Sequence, residues 1–155
     1  MRVHIGGDHA AFELHQELLT FLRDEGHEVV DHGPFAYDAA DDYPVFVIRA
    51  AQAVAADPGS RGIVLGGSGN GEQMAANKVA GVRAALCCTT ELARLAREHN
   101  DAQIISMGGR MQTLGESREM VRTFLGTDFT GEDRHRRRID MMTAYEADGT
   151  LPPLP

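Results

Sequence analysis

The densest run of potential chemistry in the chain is Gly66-Gly67-Ser68-Gly69-Asn70-Gly71-Glu72. Four glycines in the six positions from Gly66 to Gly71 let backbone N–H groups converge, and a helix starting there adds its positive end. Such a nest suits a phosphate or a transient oxyanion. It lacks the Lys-Ser/Thr ending of a P-loop, so nucleotide hydrolysis is a poor fit. Glu72 would crowd a phosphate dianion, but it can act as a base beside a developing enediolate. Equally, it can do no more than favour the helix dipole. A helix N-terminus lowers a carboxyl pKa and weakens the base, so an apolar, water-poor site would have to raise it again.

Other chemistry-bearing residues are spread along the chain. Asp8-His9 follows a first strand, where Asp8 also serves as a helix cap. His99-Asn100-Asp101 suits a helix C-terminus, and Arg110 follows Gly108-Gly109 in a loop. In Arg134-His135-Arg136-Arg137-Arg138, a turn of about 100° per residue places Arg134, Arg137 and Arg138 on one helix face, with Arg136 pointing away. Three guanidinium groups on one face suit a small phosphorylated ligand. His4, His9, His27 and His32 have no recurrent ligand spacing, and Cys87-Cys88 matches no zinc pattern. No metal and no cofactor are expected. The two cysteines read as apolar strand residues.

The elements that must position these groups alternate in type. Strands are expected at Arg2 to Gly6, Glu28 to Asp31, Arg61 to Leu65, Val82 to Cys88 and Gln103 to Met107. Helical spacing covers His9 to Glu25, Tyr43 to Ala56, a segment through Met74 to Ala76, Thr89 or Thr90 to Glu98, Leu114 to Leu125 and Arg134 to Glu146. Near-continuous apolar strands alternating with helices predict one α/β domain: a doubly wound, Rossmann-like three-layer sandwich on a five-stranded parallel sheet. The simplest strand order is 2-1-3-4-5, with ligands beyond the carboxyl ends of the strands. The domain is expected to occupy 1–147, and 148–155 reads as a Pro-rich, irregular C-terminal tail.

Composition narrows the partners. The 155 residues carry a net charge of −8, which disfavours nucleic acid and anionic membrane surfaces. No stretch approaches a membrane span, no signal-peptide core is present, and two adjacent cysteines frame no secreted scaffold. A cytoplasmic setting is the expectation.

Taken together, Gly7-Asp8-His9-Ala10, Asp42-Tyr43-Pro44, Gly67-Ser68-Gly69-Asn70-Gly71, Ala75-Ala76-Asn77-Lys78, His99-Asn100-Asp101-Ala102 and Arg134-His135 resemble the ribose-5-phosphate isomerase B family, with its galactose- and allose-phosphate relatives. The resemblance spans about residues 3 to 145, in the family's order. It implies metal-independent interconversion of D-ribose 5-phosphate and D-ribulose 5-phosphate through a cis-enediolate. Many members carry a cysteine base where this chain has Gly66; here the resemblance is to the subgroup whose base is a glutamate, and it assigns that role to Glu72. Ser68 and the amides of Gly67, Gly69, Asn70 and Gly71 correspond to the enediolate hole. His99 corresponds to the ring-opening acid/base, assisted by Asp8, with Asn100 on the sugar oxygens. His9, Arg110, Arg134 and Arg138 correspond to phosphate ligands, while Tyr43 and His135 line the site. In the family the His-Asn and C-terminal Arg groups come from a second subunit, so a homodimer with shared sites, or a higher oligomer, is implied. The alternatives are a six-carbon aldose phosphate as substrate, or a noncatalytic sugar-phosphate or nucleotide-binding module.

Overall fold

A computed structural model describes residues 1–154. Five strands, β1 (Arg2–Gly7), β2 (Glu28–Asp31), β3 (Arg61–Gly66), β4 (Ala84–Leu86) and β5 (Ile104–Gly108), form one sheet in which every pairing is parallel. Around it lie α1 (Phe12–Asp24), α2 (Tyr43–Ala56), α3 (Asn70–Ala76), α4 (Thr90–Asn100), α5 (Leu114–Gly126) and α6 (Asp133–Asp148). None of the described helices is long and apolar enough to cross a membrane.

The period-two alternation of the strands divides the core between two faces. Ile63, Leu65, Ile105 and Met107 point into a cluster with Leu18, Leu22 and Phe124 from α1 and α5. Their neighbours Val64 and Ile104 point the other way, onto Val47, Ala51 and Val54 of α2 and Ala76 of α3. This is the expected three-layer α/β sandwich.

The strand order is β2-β1-β3-β5-β4, which corrects the expected 2-1-3-4-5. Burial explains the exchange. All five residues of β5 are buried, whereas β4 has three residues of which only Ala84 is. The fully buried strand takes the interior position, and the short, half-exposed one is left at the edge. β4 is also shorter than Val82 to Cys88: at its start the Val82 amide closes a turn onto Val79 instead of joining the ladder (3.1 Å), and beyond its end lie Cys87, buried, and Cys88, exposed, so neither cysteine is a strand residue. The first helix is preceded by a single 3-10 turn over His9–Ala11, drawn tight by Asp8, whose Oδ1 accepts the Ala10 N–H at 2.9 Å. At the far end, α6 includes Asp148, so the irregular segment starts one residue later than expected, and Pro155 lies outside the described residues.

Candidate active site

Three central strands end side by side. Gly7 pairs with Leu65 and Gly66 with Gly108, so the loops that follow open on the same edge of the sheet. Backbone hydrogen bonds tie them together: Gly109 N–H donates to Gly66 O (2.7 Å) and Arg110 N–H to Gly67 O (3.2 Å). The glycine loop then turns through Gly69 at φ +82°, a conformation that favours glycine, and starts α3. The buried Ser106 hydroxyl donates to Gly69 O at 2.7 Å and pins that turn.

Glu72 sits in the first turn of α3 and is only 4% exposed. Its carboxylate lies over the end of β3. A Cβ at Gly66 would stand 1.9 Å from Glu72 Oε1, so glycine at 66 is what leaves room for the acid. Burial pushes the Glu72 pKa above the usual carboxylate value, the nearby Asp8 charge adds to this, and the backbone N–H groups of Glu72 and Gly69 oppose it. Desolvation thus outweighs the helix N-terminus. Asp8, 7% exposed, is also pushed up by burial, against the pull of the Ala10 N–H, His9 and Arg110. Tyr43, from the start of α2, fills the space that a side chain at Gly71 would need. Ser68 and Asn70 are exposed, with Asn70 Nδ2 3.2 Å from Ser68 Oγ.

Beside this cup, His9 and Arg110 line a cleft of about 550 Å³ together with Tyr37 and Phe12. His9 Nδ1 lies 2.7 Å from Asp41 Oδ1, which also accepts the His9 backbone N–H at 3.0 Å. Asp8, His9 and Asp41 each bring a potential metal-ligand atom within 4.8 Å of the others. In this grouping Asp41 Oδ1 is already engaged by His9, and Asp8 Oδ1 by the Ala10 amide.

The remaining expected residues are elsewhere. His99 and Asn100 close α4, which runs back from the carboxyl ends of the strands to their amino ends. There the Asn100 carbonyl accepts the Arg83 Nε–H at 2.8 Å, immediately before β4. At about 3.3 Å per residue, the length of β3 separates this group from Glu72 by roughly 17 Å. His99 stacks on His135 of α6, with ring centroids 4.3 Å apart and planes 14° from parallel. His135 is 4% exposed, its Nε2 has no partner among the described residues, and burial followed by the neighbouring His99 and Arg134 lowers its pKa. Arg134 pairs with Glu132 at 2.8 Å, and Arg138 is exposed. Arg136 turns away to Gly131 O and the Phe129 ring, as the helical spacing predicts. One chain therefore assembles Asp8, His9, Tyr43, the glycine loop, Glu72 and Arg110, but not His99, Asn100, Arg134, His135 or Arg138.

Sequence reading missed Asp41 and Ser106. The only signal for Asp41 was its place beside Asp42-Tyr43-Pro44, and its partner lies 32 residues away. Ser106 is one polar residue in an otherwise apolar strand.

The sequence profile described as Ribose/Galactose Isomerase matches residues 3–142. The chain belongs to the ribose/galactose isomerase family. It is an enzyme of the aldose–ketose isomerase type. It is 54% identical, over 155 residues covering 100% of this chain and 98% of the relative, to ribose-5-phosphate isomerase B of Mycolicibacterium paratuberculosis. Among solved structures, it is similar to ribose-5-phosphate isomerase B of Clostridium thermocellum, with TM-score 0.92 and 39% identity, covering 97% of this chain and 100% of that one. It is also similar to the Mycoplasma genitalium enzyme, solved with bound ribulose-5-phosphate, with TM-score 0.90 and 38% identity over 95% and 97% of the two chains. In this family member, both cysteines are free thiols, and burial raises the Cys87 pKa to about 12, which removes it as a base.

Proposed function

We propose that this isomerase interconverts D-ribose 5-phosphate and D-ribulose 5-phosphate, with Glu72 as the base. The observation that carries the reading is the Glu72 carboxylate, buried above the glycine loop in the space that a side chain at position 66 would occupy. Where relatives carry a cysteine at the end of this strand, the chain places a carboxylate over the same spot from the next helix. Its raised pKa makes it a stronger base than an exposed carboxylate, nearer to what proton abstraction beside a carbonyl needs.

In the open-chain aldose, Glu72 takes the proton from C2. The C2–H electron pair becomes the C1=C2 bond, and the charge passes to O1. Ser68 and the amides of the Gly67 to Gly71 loop, directed by the pinned Gly69 turn, hold that oxygen. The O2–H proton passes to O1, the charge left on O2 forms the C2=O2 bond, and the C1=C2 electron pair takes the proton back from Glu72 at C1, which gives the ketose. His9 and Arg110 take the phosphate in the adjoining cleft, and Tyr43 covers the sugar.

Ring opening falls to His99, with Asp8 assisting from the cup and Asn100 on the sugar oxygens. Because His99 lies at the other end of the sheet in its own chain, it is supplied by a second copy, together with Arg134, His135 and Arg138. The support for this is the arrangement of α6: His135 is its one buried residue, and Met142 and Tyr145 are left exposed. A reducing, cytoplasmic setting accords with the free cysteines.

The test is Glu72→Gln. Turnover of ribose 5-phosphate is expected to fall by about 10³-fold, within the range for removing a general base, while inorganic phosphate still inhibits in the same concentration range. Near-normal turnover in that variant removes Glu72 from the role. Parallel assays with allose 6-phosphate and galactose 6-phosphate decide the sugar.

A further inference from the structure

Asp41 belongs to no motif of the chain, yet it makes two of the hydrogen bonds that set His9. Its Oδ1 faces His9 Nδ1 at 2.7 Å and accepts the His9 backbone N–H at 3.0 Å. The side chain is 9% exposed, and Oδ2 is buried with no hydrogen-bond partner among the described residues. A carboxylate so placed has its charge balanced chiefly by what His9 carries.

We propose that Asp41 is a positioning residue for the phosphate end of the substrate, acting through His9. Its carboxylate only accepts, so the hydrogen on Nδ1 is directed to it, and Nε2 is the nitrogen left for a ligand. In the neutral ring with that tautomer, Nε2 presents a lone pair, which repels a phosphate oxygen. Only the imidazolium can donate from Nε2 to the dianion. Asp41 therefore sets both the direction of the ring and its charge. The groups facing His9 agree: the hydrogen bond to Asp41 raises its pKa most, the Asp8 and Asp41 charges add to this, and partial burial and Arg110 oppose it.

The inference rests on the reading of His9 as a phosphate ligand, and the experiment separates the two. Competitive inhibition by inorganic phosphate is measured from pH 6 to 9 in the wild type, Asp41→Asn and His9→Gln. Asn retains an oxygen for the two N–H groups but removes the charge. The alkaline limb of phosphate affinity is expected about one pH unit lower in Asp41→Asn, giving about tenfold weaker inhibition above the limb. The acid limb, set by the second ionisation of phosphate itself, stays in place. A wild-type limb in a folded Asp41→Asn protein overturns the role of Asp41 alone. Unchanged inhibition in His9→Gln overturns the phosphate reading beneath it. In the unmutated protein, the His9 ring, identified by the signal lost in His9→Gln, is titrated by NMR. A midpoint above 6.5 supports the proposal and one below 6.5 overturns it, whether or not the Asn variant folds.

Discussion

The two ends of the sheet hold their candidate site residues in different ways. At the carboxyl ends, Glu72, Asp8 and the glycine loop are held by backbone: the strand register, two cross-loop hydrogen bonds and the Ser106 anchor. At the amino ends, His99 and His135 are held by each other, on the last turn of one helix and a second helix that packs on little but the first. The first region is a finished cup. In the second, His135 is buried and His99 partly exposed beside the exposed Arg134 and Arg138, and the proposed function makes this group half of a site completed by another chain.

Among changes that keep every site residue, the largest effect is expected where the cup has no slack. Gly66→Ala puts a methyl group 1.9 Å from the present position of Glu72 Oε1, so the carboxylate must move. Because a displacement of about 1 Å at a reacting group can cost 10²-fold, kcat is expected to fall by about that factor. Thermal unfolding of the variant checks that the fold survives, and retained turnover with a retained fold would break the claim that the cup is rigid.

A smaller effect tests the division of labour. Glu72→Gln and His99→Asn chains, each with little activity alone, are co-expressed. If each site takes one group from each subunit, one of the two sites in a mixed dimer is intact. Activity then recovers to roughly a quarter of wild type in a random mixture with C2 symmetry. Failure to recover means that the two ends act within one chain.

The smallest effect is local stability, and its sign differs between the regions. His135 has a folded pKa below its unfolded value, so its contribution is present above about pH 6.5 and is lost as pH falls through the folded value. Glu72 has a folded pKa above its unfolded value, so acidification through that value relieves the cost of burying its charge. Amide hydrogen exchange between pH 7 and 5, corrected for intrinsic rates, is expected to show protection falling in α6 but not in α3. Parallel losses in both helices would erase the distinction.

Much of this was legible in the chain. β2 and α2 have the bounds read from sequence, because alternation, Pro44 at a helix start and the Asp57-Pro58-Gly59 stop are local signals. Glu72 was legible as a candidate base for the same reason: it stands at a fixed step from the glycine run. The edge position of β4 was not, since Val82 to Cys88 is apolar enough for an interior strand and loses that place only in competition with β5. Asp41 was not legible either, because its meaning depends on a loop folding back onto His9.

By itself, the sequence determined the element types, the glycine nest and the acid beside it, all of which follow from backbone preferences and side-chain periods within a few residues. Only the tertiary structure decided that Glu72 fills the space above Gly66, that burial outweighs the helix dipole in setting its pKa, and that His99 lies at the opposite end of the sheet. Those facts depend on strand order, desolvation and helix direction, which arise when distant segments compete for the same core. The glycine-loop motif therefore located the candidate site, and the packing showed which of its residues one chain brings together.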